Sequence, residues 1–317
     1  MNHYFALLGA TLSATGPIFF LILLGIALKR FGLMDERFVA ASSRLVFNVC
    51  LPVLLFTTII KIDLSATLDW GLLGFSLVAS LFACALSWSM AIVWVSARED
   101  RSAAIQGSFR GNLAVIGIAL SASAYGESGL ALASLLMASM TIFYNILAVI
   151  VLSYYAGEES LSWQSALKGI ATNPLIVSIV LALLVAGLHA PIPAVAISTG
   201  SYLGSMALPL AVLASGAGLS VRAFTHPSQG LVLAATLKLA IIPVSLTLLA
   251  WWLGYRGEVL GVLFLLLASP TAAASFAMAQ TMGANATLAA NIIMTTTLAS
   301  VVTTSIGLFI LKASGIA

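Results

Sequence analysis

Two stretches interrupt the apolar pattern of this chain, and they read Arg110-Gly111-Asn112-Leu113-Ala114-Val115-Ile116-Gly117 and Ala268-Ser269-Pro270-Thr271-Ala272. Pro270 lacks an amide donor and its ring clashes with the preceding helical turn, while Gly111 and Gly117 permit non-helical torsions. In a bilayer, unwound backbone survives only where it is buried in protein or lines a cavity. The two stretches therefore predict two broken helices. The alternative is an ordinary kink at Pro270 and close helix packing at the glycines.

The composition around these breaks is that of a membrane protein. Of 317 residues, 61% are hydrophobic and only 7% are charged, and the mean hydropathy is +1.13. Soluble domains carry about 25% charged residues, and about 20 apolar residues in a helix span the hydrocarbon core. A β-barrel would show short alternating strands instead of continuous apolar runs. We therefore predict an all-α polytopic membrane protein that lies in a lipid bilayer. This prediction excludes a soluble nucleic-acid binder.

Ten apolar blocks follow one another along the chain, and every Asp and Glu lies at or outside the edge of a block. This pattern predicts ten transmembrane helices. The blocks run near 6–28, 38–60, 71–95, 102–125, 129–154, 167–188, 195–220, 229–252, 257–281 and 286–311.

The cations indicate the orientation in the membrane. Nine attach to the odd-numbered connections and three to the opposite side. The nine are Lys29, Arg30, Arg37, Arg44, Arg98, Arg101, Arg110, Lys168 and Arg222, and the three are Lys61, Arg256 and Lys312. Cytoplasmic loops of membrane proteins carry the excess of Lys and Arg. We therefore expect the odd-numbered loops in the cytoplasm and both termini outside.

Matching sequence features recur at a constant spacing in the two halves of the chain. A spacing of 157 residues relates three pairs of matching features: Gly16-Pro17 to Asn173-Pro174, Leu51-Pro52 to Leu208-Pro209, and Gly126 and Met137 to Gly283 and Met294. Residues 1–157 and 158–317 would then be two five-helix repeats. Because five is odd, the second repeat would be inverted relative to the first, and inverted repeats are typical of secondary transporters with a midplane binding site.

The same spacing pairs the breaks in blocks 4 and 9 and sets Asn112 against Ser269. Where two broken helices cross, their free helix N-termini attract an anion. Lys238 lies deep in block 8, where a lysine costs about 2.5–3.5 kcal/mol, unless its long stem lets the ammonium reach the interface. Since no carboxylate lies within a helix, its counter-charge would be an anionic substrate. The predicted binding residues are Gly111, Asn112, Lys238, Ser269, Pro270 and Thr271.

Few other side chains point to chemistry. His3, His189 and His226 lie near loops, so a buried proton relay of carboxylate or histidine is not expected. Sodium ligation and ordinary interhelical hydrogen bonding are both open for Gln106, Asn145, Gln280 and Asn291. Cys50 and Cys84 show no metal-ligand or redox spacing, so the sequence predicts neither a metal nor a cofactor.

Several of these elements together resemble the auxin efflux carrier family, including bacterial malonate or malate permeases. They are the run from Arg44 to Phe56 with Leu51-Pro52, the run from Gly111-Asn112 to Glu127, the run from Lys238 to Pro243, and Ser269-Pro270. The resemblance implies a fold related to bile-acid sodium symporters. The helices of blocks 1, 2, 6 and 7 would form a scaffold, and those of blocks 3–5 and 8–10 would form a moving transport domain.

By this resemblance, Asn112 and Pro270 are the crossover residues and Lys238 is the basic residue of the eighth helix. The family usually has a proline at or beside position 111, where this chain has Gly111. The implied function is secondary transport of small organic anions, mono- or dicarboxylates, by elevator-type alternating access in a bacterial inner membrane. A homodimer through the scaffold helices is left open.

Parts of the sequence suggest two rival functions. A sodium-coupled symporter of the bile-acid type would carry a buried acidic residue after the second break, where this chain offers only Ser275, Met278 and Gln280. An intramembrane protease is suggested by Gly126-Glu127-Ser128-Gly129, but no histidine lies at matching depth to activate the serine. No HExxH or phosphate-loop motif is found in the sequence, so we predict a protein that is not an enzyme.

Overall fold

The computed structural model describes residues 2–61, 69–156, 171–172, 174–188, 190–218 and 228–317, without the side chains of residues 2–8, 10, 14, 277, 280 and 281. Several residues used above are therefore outside the described part, either entirely or in their side chains. They are Asp63, Glu158, Glu159, Lys168, Asn173, His189, Arg222 and His226, and the side chains of His3 and Gln280.

Within these ranges the regular structure is helical apart from one isolated two-residue bridge. The α-helices are α1 Asn2–Arg30, α2 Glu36–Leu45, α3 Leu51–Ile59, α4 Trp70–Trp94, α5 Arg98–Phe109, α6 Ile118–Ala156, α7 Pro174–Gly187, α8 Ala194–Ser205, α9 Ala207–Gly218, α10 Gln229–Thr236, α11 Ile242–Trp252, α12 Gly257–Ala268, α13 Ala274–Thr281 and α14 Ala286–Ala313. Three π-helical turns join some of them: Val46–Cys50, Leu113–Gly117 and Leu237–Ile241.

Seven helical stretches of the described chain are long and apolar enough to cross a membrane, which confirms an all-helical, multi-pass membrane protein. They are Thr11–Arg30, Glu36–Ile59, Trp70–Trp94, Leu113–Tyr155, Ala194–Gly218, Gln229–Trp252 and Ala286–Ala313. Two further apolar helices, α7 and α12, are shorter. The count is below the ten predicted blocks because blocks 4 and 9 are interrupted, block 6 is only partly described, and one stretch spans two blocks.

That stretch, Leu113–Tyr155, has 43 residues, about twice the length that one crossing needs. Its helix is broken at Gly126, whose φ of 67° and ψ of −147° are not helical. Gly283, which the 157-residue spacing pairs with Gly126, also has a left-handed φ of 73°. Because this region of φ favours glycine, both positions allow the chain to reverse direction between helices.

Prolines explain two of the π-helical turns. Val46–Cys50 precedes Pro52, and Leu237–Ile241 precedes Pro243. A proline in a helix removes one hydrogen bond and its ring crowds the preceding turn, and a local π-helical turn is one way in which a membrane helix adapts. The second of these turns carries Lys238, so Pro243 helps to set the direction of its side chain.

Close glycine contacts join the helices on one side of the molecule. A Cβ on Gly25 of α1 would overlap the Leu213 carbonyl of α9, and one on Gly216 would overlap the Ile22 carbonyl. Gly204 of α8 faces the Leu54 backbone of α3 in the same way, at 3.2 Å from an ideal Cβ. Small residues allow such close approach in membranes, where van der Waals packing drives helix association. These helices form a tight group.

The centre of the protein is formed by the two helices that lead into the breaks. All residues from Leu260 to Ala268 in α12 are buried, as are those from Ser102 to Phe109 in α5. A helix that is buried on all sides lies inside a protein and not at its lipid surface. The breaks at Arg110 and Ser269 therefore meet in the interior.

Candidate functional site

The two broken segments cross and hydrogen-bond to each other. Gly111 and Thr271 form an isolated antiparallel bridge. The Asn112 amide donates to the Pro270 carbonyl at 2.6 Å, and the Ala272 amide donates to the Arg110 carbonyl at 3.0 Å. Two amides and two carbonyls that the breaks release are thus paired across the crossing, as an environment without water requires. The meeting of the predicted breaks is a direct feature of the structure.

The contact at the crossing joins Gly111 to Thr271, which is 160 residues further along the chain. The 157-residue spacing relates Asn112 to Ser269 as equivalent positions of the two predicted repeats and does not state which residues touch, so it stays a prediction. Pro270 has no amide to donate, and the amides used at the crossing are those of Asn112 and Ala272.

Ser269 and Thr271 contribute their hydroxyl groups to the frame of the crossing. The Thr271 hydroxyl donates to the Gly107 carbonyl at 2.6 Å, and its amide donates to the Thr296 hydroxyl at 3.1 Å. The Ser269 hydroxyl donates to the Leu266 carbonyl at 2.7 Å. Both residues are buried. They hold the broken segments against their neighbours and do not line the cavity beside the crossing.

A cavity of ≈ 260 Å³ lies against the crossing. Its wall combines the first residues after each break with residues of α6, α7, α9 and the π-helical turn before α3. The lining residues are Phe47, Asn48, Arg110, Gly111, Asn112, Leu113, Ala114, Val115, Thr141, Tyr144, Asn145, Pro174, Leu175, Ser215, Ala272, Ala273 and Ala274. Helix N-termini carry unpaired amides and a positive partial charge, and the segments that follow both breaks begin at this cavity.

Arg110 is a buried residue of the cavity wall that the sequence analysis did not include among the binding residues. It was counted among the loop cations, which is wrong, because it is only 7% exposed and lies in the cavity wall. Its Nη2 donates to the Asn145 Oδ1 at 2.7 Å, and its Nη1 contacts the Met278 sulfur. The depth of Arg110 in block 4 was the available signal, the same signal that singled out Lys238.

No carboxylate of the described residues pairs with Arg110. The ion pair in the described part of the chain is at the surface, where Lys29 contacts Glu36 at 2.7 Å. Removing a charged group from water costs several kcal/mol even after the protein relaxes. Asn145 and Met278 supply neutral partners, and the C-terminal end of α5 adds a favourable dipole. The guanidinium therefore keeps a net positive charge that faces the cavity.

Lys238 is a second buried cation, placed behind the crossing. It is 1% exposed, and its ammonium donates to the Leu267 carbonyl at 3.1 Å, near the end of α12. The ammonium does not reach the membrane interface. An ideal Cβ on Gly111 would lie 3.0 Å from this Nζ and 2.6 Å from the Ser269 Oγ. Gly111 thus separates Lys238 from the cavity by backbone alone.

Two of the four side-chain amides whose role the sequence left undecided form hydrogen bonds between helices. Gln106 donates to the Met278 sulfur at 3.7 Å, and Asn145 accepts from Arg110. Interhelical hydrogen bonding therefore describes both residues, while the alternatives for Gln280 and Asn291 stay predictions. Met278 occupies one of the positions after the second break where a bile-acid-type symporter would carry an acid.

A second cavity, of ≈ 380 Å³, lies near the turn at Gly126 and shares no residue with the first. It is lined by Leu54, Thr57, Thr58, Lys61, Glu127, Ser128, Leu130, Ala131, Ser201 and Ser205. Both cavities lie between the helices that join at close glycine contacts and the segments that follow the first break. The two cavities therefore lie at different places along the contact between these helices and α6.

These features, an apolar helical protein with two broken segments crossing beside a polar cavity, define a multi-pass membrane transport protein. The profile of the family described as "Membrane transport protein" matches residues 11–308, and the chain belongs to that family. The resemblance to the auxin efflux carrier family is thereby confirmed. The chain is also similar to an uncharacterized transporter of Methanothermobacter thermautotrophicus strain Delta H, with 26% identity over 256 residues, 80% of this chain and 82% of the relative.

Proposed function

We propose that the protein is a secondary transporter of small organic anions, mono- or dicarboxylates, and that the cavity at the crossing binds the anion. One observation carries the proposal: the Arg110 guanidinium is buried in the cavity wall without a carboxylate partner in the described structure. A substrate carboxylate would supply the missing counter-charge. Arginine suits this role because its planar fork binds carboxylates through two parallel hydrogen bonds.

The rest of the predicted site cooperates with Arg110 in this proposal. The Asn112 side chain can donate from its amide, and the Gly111 backbone forms part of the cavity wall. Ser269, Pro270 and Thr271 hold the crossing in place, and Lys238 adds a positive field from behind Gly111. The apolar wall residues, such as Phe47 and Leu175, would contact the carbon skeleton of the substrate.

Transport would follow by elevator-type alternating access in a fold of ten helices and two inverted repeats. The scaffold would comprise the helices that meet at Gly25, Gly204 and Gly216, and the crossing would move against it. The cavity beside the crossing borders Phe47 and Pro174, near the odd-numbered connections, so it would open to the cytoplasm. The second cavity, with Lys61 and Glu127, would open to the outside, where both termini would also lie.

Thermal-shift measurements on purified protein against a panel of mono- and dicarboxylates test the proposal. Hits would be followed by uptake into proteoliposomes with and without sodium and a pH gradient. Arg110→Gln should abolish the shift, Arg110→Lys should retain part of it, and the exposed control Arg37→Gln should behave as wild type. An unchanged carboxylate response in folded Arg110→Gln would contradict the anion site.

A further inference from the structure

The surroundings of the Lys238 ammonium are those of a bound monovalent cation. The Leu267 carbonyl accepts its hydrogen bond at 3.1 Å, and the Ser269 hydroxyl lies beside the same point of the Gly111 backbone. No carboxylate of the described residues pairs with it. The hydrogen bond of the ammonium is therefore accepted by a neutral carbonyl oxygen, and the side chain is buried.

The end of α12 explains why a cation is favourable there. The last carbonyls of a helix have no intrahelical donor, and together they carry a negative partial charge. In transporters with broken helices, such carbonyl ends and unwound backbone commonly coordinate the coupling ion. In this chain a side chain from a different helix fills that position.

Gly111 makes room for this arrangement. A Cβ at position 111 would come within 3.0 Å of the Lys238 Nζ and 2.6 Å of the Ser269 Oγ, so any side chain there would push the ammonium away from the crossing.

We propose that Lys238 is a tethered cation that takes the place of an inorganic coupling ion at the crossing. Its ammonium binds the end of α12 through the Leu267 carbonyl, beside the Gly111 backbone, and supplies there the charge that a sodium ion would otherwise bring. The binding site would therefore be complete without sodium. The part of this inference that concerns anion binding rests on the proposed function, whereas the cation site itself does not.

The test uses the purified full-length protein and its Tm in chloride salts of equal ionic strength. Lys238→Ala removes the ammonium and leaves the Leu267 carbonyl facing a space. We expect methylammonium or sodium, compared with choline, to raise the Tm of Lys238→Ala saturably, by about 2–4 °C or more. Wild type should show no difference among the three salts.

Two variants control for cavity formation and for loss of charge. Leu237→Ala truncates the buried neighbour of Lys238 and should respond equally to all three cations. Lys238→Met keeps the stem volume and should also show no preference. An equal response of Lys238→Ala to methylammonium, sodium and choline would overturn the proposal.

If Lys238→Ala does not fold, the Tm of the wild-type protein in sodium and in choline still tests the proposal. A specific stabilisation of wild type by sodium over choline would show that an inorganic ion is needed and would overturn the tethered cation. Neither measurement contains a carboxylate, so failure of the tethered cation is distinguishable from failure of the anion site at Arg110.

Discussion

The guanidinium of Arg110 donates to the Asn145 Oδ1 at 2.7 Å and so joins the end of α5 to the middle of α6. This contact holds a buried cation by a neutral oxygen, which leaves the positive charge available to a ligand. Asn145 is therefore expected to set how strongly the cavity attracts anions, although its own side chain carries no charge.

Asn145→Asp should weaken carboxylate binding at least tenfold. The new carboxylate would pair with Arg110 inside the protein, and a substrate anion would have to compete with it. Isothermal titration with the carboxylate that gives the largest thermal shift measures the effect. Gln229→Glu, the same amide-to-acid change at an exposed helix N-terminus, is the control. Unaltered affinity in Asn145→Asp would argue against anion binding at Arg110.

Asn112→Ala should weaken binding of the same carboxylate roughly tenfold or more, because a hydrogen bond to a charged group contributes about 1.5–3 kcal/mol. The backbone bond from Asn112 to Pro270 does not involve the side chain, so the crossing should stay intact and the Tm should change little. Asn291→Ala, another half-buried amide, is the comparison. Equal affinities in the two variants would exclude a role for the Asn112 amide.

Glu127→Gln, Glu258→Gln and Asp69→Asn should each retain substantial uptake into proteoliposomes. These carboxylates lie at helix edges, and none pairs with a buried cation in the described structure. Asp69 caps α4 through the Gly71 and Leu72 amides at 2.8 and 3.1 Å, and asparagine caps helices about as well. Complete loss of uptake in one folded variant would identify a coupled carboxylate.

Both termini should be accessible from outside. The corrected count of loop cations still favours the odd-numbered connections, by eight to three without Arg110. In a variant free of Cys50 and Cys84, Asn2→Cys should react with a membrane-impermeant maleimide in intact cells. Ser160→Cys should react only after lysis. Labelling of position 160 in intact cells would reverse the orientation and the assignment of the two cavities.

Gly216→Ala should lower the Tm, since its Cβ would overlap the Ile22 carbonyl where α1 and α9 cross. Overpacking of this kind costs about 1–3 kcal/mol. Gly74→Ala, at an open position within α4, should be neutral or slightly stabilising because alanine favours the helix. Equal Tm values for the two variants would show that the close crossing is absent in the membrane.

Local patterns were enough to predict the helical membrane class and the position of both breaks. Hydrophobic length and the placement of charges act over about 20 residues, and proline and glycine alter the backbone where they stand. These features need no knowledge of distant contacts.

Other features were decided only by packing between segments far apart in the chain. Hydropathy cannot distinguish a cation in a loop from one buried against a distant helix, so Arg110 was misassigned while Lys238 had two open interpretations. The structure buries both cations, and it sets Gly111 opposite Thr271, a contact that the sequence did not predict. The sequence by itself determined where the backbone could break, because proline and glycine act on the torsions at their own positions. Only the tertiary structure decided which groups meet at the breaks, because hydrogen-bond partners 160 residues apart are brought together by the packing of whole helices.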